Sequence, residues 1–342
     1  MSKILFFAFS VAVMLALPCL VLAQATSPQA TGELQAAVAR TGEFRRKAVD
    51  FEGNYYFPSE WIVAEALYAE AGLIPIDTDY NINRAIDAYT MVANSFASIA
   101  RLAIPLYAQA REDEIMMIRH GLVAGNARAS FPELMVPADR AALAAMERYE
   151  AGDYYSARDL AAKAYAMFRV LETTFSAWQM RQEIVRRGFM HYAQDNYERA
   201  EAIIGEAMQA YIEGDFPLAQ KNATEAQARY TLVLSSGWAA VAEYNSSIAK
   251  AERIAAMEAR ANVAARETFK MADSFYHMAI DSLRREYYRE AAEMFADAES
   301  LYFIARVSTL ERRRFAAEAI MEANRQIKEV IRTAQQAELD TN

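Results

Sequence analysis

Cysteine, histidine, glycine and proline are all scarce in this chain. The single cysteine, Cys19, lies in an apolar N-terminal run, so the remainder has no thiol for a disulfide, a metal site or a nucleophile. There are three histidines, His120, His191 and His277. Phosphate loops, dinucleotide fingerprints, zinc-peptidase motifs and nucleophile elbows are absent. Eleven glycines and eight prolines in 342 residues exclude a turn-rich sheet protein, and neither residue occurs after Gly237. No stretch alternates with strand period over a useful length, so no sheet is expected. A formal charge of −9 excludes a general nucleic-acid binder, which carries a basic surplus. What remains is rich in Ala, Glu, Arg and Met, the composition of an all-α protein.

At the N-terminus, Lys3 precedes an apolar core from Ile4 to Leu17, followed by Pro18 and Val21-Leu22-Ala23. This is the plan of a secretory signal peptide over residues 1–23, cut after Ala23 and followed by a polar spacer over 24–32. Two alternatives stay open: lipidation at Cys19, and an uncut anchor, since Ile4 to Ala23 is long enough to span a bilayer. All three place the body outside the cytoplasm, in the periplasm of a bacterium, and cleavage leaves no membrane insertion.

Residues 33–137 are expected to form an interrupted helical region, with Gly53 to Pro58 as one break and Pro105 as a kink or restart. The segment Gly121 to Val136 holds Gly125 and Pro132 and is expected to be a loop or boundary. From 138 to 342 the helices are expected at about 138–151, 154–173, 176–193, 197–212, 216–235, 238–285, 288–306 and 308–337. Asn245-Ser246-Ser247 is the expected break in the long one.

One corner organises this second region. Tyr149-Glu150-Ala151-Gly152-Asp153-Tyr154 recurs as Tyr211-Ile212-Glu213-Gly214-Asp215-Phe216. Glycine can end one helix in the left-handed conformation, and the aspartate can cap the next. Looser copies lie at Tyr192 to Ala200 and Leu283 to Ala291. The residues around these corners (Gly152, Tyr154, Ala157, Ala164; Ile184, Gly188, Tyr197, Ala200; Gly214, Phe216, Ala219, Ala226; Phe275, Ala279, Tyr288, Ala291, Phe295) resemble the tetratricopeptide repeat. The spacing of the key alanines, 157, 200, 219 and 291, departs from the regular 34 residues. The resemblance implies antiparallel helix hairpins stacked as a right-handed array, with a long helix and a C-terminal capping helix. It also implies a concave surface that binds a peptide or protein segment, with Tyr149, Tyr192, Tyr211 and Leu283 at one inward-facing position. The structural alternative is that these side chains close the hairpins.

Chemistry is sparse. Asp273, His277 and Asp281 share a helix face, but such a cluster is usually solvated, and no catalytic residue, metal site or cofactor is expected. The last helix carries Arg312 to Arg314, Arg325, Lys328 and Arg332 beside an apolar face of Ala316, Ile320, Ile327, Ile331 and Ala334. It suits a capping helix or a partner-docking helix, and its interspersed glutamates weaken it as a membrane binder. The expected function is a non-enzymatic scaffold or adaptor for protein partners. The alternative is a binder of a glycan, a peptidoglycan fragment or a small solute through an aromatic groove.

Overall fold

A computed structural model describes residues 27–340, and the expected signal peptide, with Cys19, lies outside them. Twelve α-helices and one 3-10 turn make up the described residues, and no strand is among them. In chain order the helices are α1 (Pro28–Asp50), α2 (Gly53–Tyr56), α3 (Pro58–Gly72), α4 (Asp79–Ala124), α5 (Ala127–Ser130) and α6 (Pro132–Glu150). Then follow α7 (Tyr154–Arg187), the 3-10 turn Phe189–Ala193, α8 (Gln194–Glu213) and α9 (Phe216–Glu258). The last are α10 (Ala261–Ala264), α11 (Arg266–Arg284) and α12 (Tyr288–Asp340). Two compact units result, residues 27–117 with 140–165 and residues 118–139 with 166–340.

In the first unit, α1, α3 and α4 bury Ala48, Ala64, Val92, Phe96 and Ile99 together. Phe96 is fully buried, with the Trp61 ring 5.2 Å away. Thr41 on α1 is also buried, and its hydroxyl donates to the Tyr89 carbonyl of α4 at 2.9 Å. By length and composition α4 could cross a membrane, yet Val92, Phe96 and Ile99 belong to this core.

In the second unit, α9 packs on α8 and α12, and α11 packs on α12. Its core gathers Ile184, Phe189, Ile203, Tyr230, Val233, Trp238 and Phe295. Gly237 makes room for Phe189, whose ring would lie 2.3 Å from an added Cβ. A side chain larger than hydrogen would have to displace that ring.

Several expected boundaries move. Pro105 and Pro137 sit inside α4 and α6 without ending them. Residues 154–187 form one helix where two were expected, and α9 runs unbroken through Asn245-Ser246-Ser247. The break comes instead at Arg260, which takes a left-handed φ of 59° with no glycine to mark it. The segment 121–136 contains a short turn, with Asn126 at φ 66°, rather than a long loop. The last two expected helices are one, α12; every residue from 310 to 335 is exposed, and Arg312 in that stretch donates to the Ala264 carbonyl of α10 at 2.7 Å.

Candidate functional site

The described residues repeat one hinge four times, in two halves. An arginine near the end of a helix is followed seven residues later by a left-handed residue: Arg45 and Glu52, Arg119 and Asn126, Arg181 and Gly188, Arg253 and Arg260. A four- or five-residue helical turn follows, and the next helix begins. Each arginine's Nε then donates to a carboxylate twenty residues on. The pairs are Arg45–Glu65 at 2.6 Å, Arg119–Asp139 and Arg181–Glu201 at 2.7 Å, and Arg253–Asp273 at 2.8 Å. Just before each carboxylate stands a fully buried alanine, Ala64, Ala138, Ala200 or Ala272, which lets the two helices close together.

The second half of the copy is the glycine corner. Gly152, Gly214 and Glu286 all adopt the left-handed conformation, with φ of 79°, 86° and 63°. Asp215 caps α9 by accepting from the Leu218 amide at 3.0 Å, and Asp153 accepts from the Ser156 amide at 3.3 Å. Hydrogen bonds from Ser156 hold the Asp153 carboxyl below the usual carboxylate range. In each copy a buried aromatic follows on the next long helix, 29 to 31 residues past the carboxylate. It is Phe96 in the first copy, Phe168 in the second, Tyr230 in the third and Tyr302 in the fourth.

The two tyrosines extend the clamp. Tyr230 donates to Glu201 and Tyr302 to Asp273, each at 2.5 Å. Burial by itself would raise the Glu201 carboxyl. The hydrogen bonds from Arg181 and Tyr230 and the arginine's charge outweigh it, so the carboxyl is held below its ordinary value. Asp273 is held down in the same way by Arg253 and Tyr302, against the same burial. The two phenols are pushed well up, first by burial and then by donating to a carboxylate. These groups are locked in one protonation state and hold structure. Asp273 is thereby taken up in the clamp, where the neighbouring His277 also helps to hold its carboxyl down. Among the described residues, no group of three or more His, Cys, Asp or Glu side chains could hold a metal ion.

The four expected site residues do not share one position. Tyr149, Tyr211 and Leu283 each precede a left-handed corner residue by three and are in register. Tyr192 belongs to the other kind of turn, inside the 3-10 segment, with its ring 5.8 Å from Phe189. Tyr211 is buried: its hydroxyl donates to the Leu134 carbonyl of α6 at 2.7 Å, and its ring packs 5.8 Å from Phe216 across the corner, so it is taken up in packing. Leu283 is partly buried against the core of the second unit.

Tyr149 lines a cavity. That cavity, about 400 Å³, lies in the first unit between the middle of α4, the end of α6 and the start of α7. Phe51, Ile104, Ile115 and Met146 give it apolar walls, with Tyr149 and Tyr154 packed edge to face at 5.5 Å. Arg111 and Arg158 bring charge to it. Arg158 pairs with Asp159 at 3.0 Å and lies 3.6 Å from Asp50, and Arg111 pairs with Glu114 at 2.9 Å through its terminal nitrogen, leaving its buried Nε without a hydrogen-bond partner. Burial pushes the neighbouring Tyr107 phenol up, so it stays a neutral donor. A concavity of this size, mostly apolar with a few convergent polar groups, is the ordinary form of a small-ligand site.

Sequence reasoning missed the clamps and the cavity. The signal for the clamps was available, as an arginine and an acid twenty residues apart, repeated four times. Compared with protein-family models, curated proteins and solved structures, the chain has no match.

Proposed function

We propose that the protein is a non-catalytic, exported helical-repeat scaffold that works in the periplasm and recruits other proteins. The observation that supports this most is the fourfold hinge, Arg45–Glu65 to Arg253–Asp273. Its partly buried ion pairs are used up in fixing helix to helix, and repetition of one supersecondary unit is the physical basis of extended binding arrays. The tetratricopeptide-like form of the array belongs to this proposal. Its support is the corner residues Gly152, Tyr154 and Ala157, matched at Gly214, Phe216 and Ala219, within a full copy of 72 residues (from Arg181 to Arg253), about twice that repeat. Affinity capture with the chain from Gln24 onward should yield a partner at fixed stoichiometry. Recovery of no stoichiometric partner from periplasmic extract would count against it. N-terminal sequencing of the exported product should begin at Gln24.

The cavity favours a second reading, a binder of a glycan, a peptidoglycan fragment or a small solute. Tyr149 offers a ring face and the Arg111 Nε an unused donor. Calorimetric titration with muropeptides tests it: binding that disappears in Tyr149→Ala with thermal stability unchanged supports this reading. Tyr211→Ala is unsuited to that purpose, because Tyr211 is buried and hydrogen-bonded to α6.

A further inference from the structure

The distal half of α12 leaves an apolar stripe uncovered by the described chain. Thr309 is its last buried residue, and all residues from 310 to 335 are exposed, with Ile320 61%, Ile327 56% and Val330 68% accessible. The stretch is not a fifth hinge copy. A 72-residue step from Arg253 reaches Arg325, but the position where the four copies bury Ala48, Leu122, Ile184 and Ala256 is then Lys328. Its own period is different. Ala316, Ile320, Ala323, Ile327, Val330 and Ala334 step by four and three alternately, which is the heptad seam of a supercoiled helix pair.

The charges decide what the seam fits. With these residues at a and d, the flanking e and g positions from 317 to 333 are Ala317, Ala319, Asn324, Gln326, Ile331 and Thr333, none charged. Every charged residue from Arg314 to Arg332 falls on the outward positions b, c and f. Several of them pair within the helix, as Arg314–Glu318 at 3.7 Å and Arg325–Glu322 at 2.9 Å. Flanking charges are what select a foreign helix, and like charges there are what prevent self-pairing. This seam has neither. The outward face carries four basic and three acidic side chains over the same stretch, too balanced to draw the helix to an anionic lipid surface.

We infer that the distal half of α12 pairs with the same segment of a second copy, antiparallel, about a two-fold axis near Arg325. That register stacks Ala316 on Ala334, Ile320 on Val330 and Ala323 on Ile327, each layer joining an a residue to a d residue, with small side chains met by small or by the larger isoleucine. It also puts the two sets of folded hairpins at opposite ends of the pair, where they do not collide. Such pairing is isologous and closes at two chains. The seam is short, so association falls at roughly micromolar concentration, where burial of the six Ile and Val side chains of the two seams exceeds the loss of rigid-body freedom.

Sedimentation velocity of the chain from Gln24 onward, across a hundredfold concentration range, tests the inference. A monomer–dimer equilibrium is expected, abolished in Ile320→Asp/Ile327→Asp and kept in the outward-face control Arg325→Gln, with helicity unchanged in both. Orientation is read with single cysteines in the otherwise cysteine-free chain: Ala323→Cys mixed with Ile327→Cys should give the mixed disulfide. Self-linking of Ala323→Cys alone would exclude the antiparallel register. A monomer at every concentration, or a dimer that survives the double aspartate variant, would overturn the proposal. Sedimentation of the monomer with anionic vesicles would show a membrane helix instead.

Discussion

The four hinges share one backbone path but not one chemistry. In the third and fourth copies the carboxylate accepts from both an arginine and a buried tyrosine, Tyr230 or Tyr302. In the first two the matching side chain is Phe96 or Phe168, buried but with no hydroxyl to donate. Asp139 in the second copy has a further arginine, Arg128, at 3.7 Å instead. The invariant parts are the arginine, the carboxylate twenty residues on and the buried alanine beside it. Helix approach and one ion pair therefore suffice to form the hinge, and the phenol adds a grade of rigidity to two of the four.

The contrast can be tested by removing, exchanging and adding these groups. Tyr230→Ala empties a fully buried site and should cost about 3–5 kcal/mol in urea denaturation, as should Phe168→Ala. Next in size is Arg253→Met, which leaves Asp273 and Tyr302 without their cation. For a pair about one-third exposed, the expected loss is about 1–3 kcal/mol. Tyr302→Phe keeps the ring and deletes one hydrogen bond to a carboxylate, for about 1–2 kcal/mol. The reverse exchange, Phe168→Tyr, should gain at most about 1 kcal/mol if the hydroxyl reaches Asp139.

The same comparison sets the response to acid. Glu201 and Asp273 are held below their unfolded values, so the stability they contribute is complete above the unfolded carboxylate range. It is lost as pH falls through their folded values. Urea midpoints measured from pH 7 down to pH 3 should fall more steeply for the wild type than for Tyr230→Phe/Tyr302→Phe. Equal slopes would show that the phenols do not help to hold the carboxyls ionised. The smallest effect belongs to the other half of the copy. Glu286 holds the left-handed position that glycine holds at Gly152 and Gly214, so Glu286→Gly should stabilise by about 0.5–1 kcal/mol.

Those glycines also explain what the sequence made legible. Gly152-Asp153 and Gly214-Asp215 are read at once as a helix end and a helix start, and both behave so. The all-helical class follows from composition and from the lack of strand period. The turn at Arg260 was hidden because an arginine there gives no turn signal, whereas those at Glu52, Asn126 and Glu286 were legible through their neighbours, Gly53 to Pro58, Gly125 and the corner copy at Leu283 to Ala291. Asn245-Ser246-Ser247 did give one, but buried Ala242 and Ala249 on either side hold that helix through. Tyr192 was grouped with Tyr149 and Tyr211 because it too stands before an aromatic and an alanine. The distinction lies in backbone conformation, which those residues do not encode. The cavity beside Tyr149 was unreadable for a different reason: its walls come from residues as distant as Phe51 and Ala161.

The long helix α9 belongs to two hinges at once. It carries Tyr230, which serves the clamp behind it, and Arg253, which forms the clamp ahead, about 35 Å further along the same rod. Neither clamp can let go without loosening a helix on which the other depends. Strain or a ligand that shifts one end of α9 is thus transmitted along a stiff lever to the other. Hydrogen exchange should accordingly find that the amides of α8, α9 and α11 open together, as a single cooperative block, instead of hairpin by hairpin.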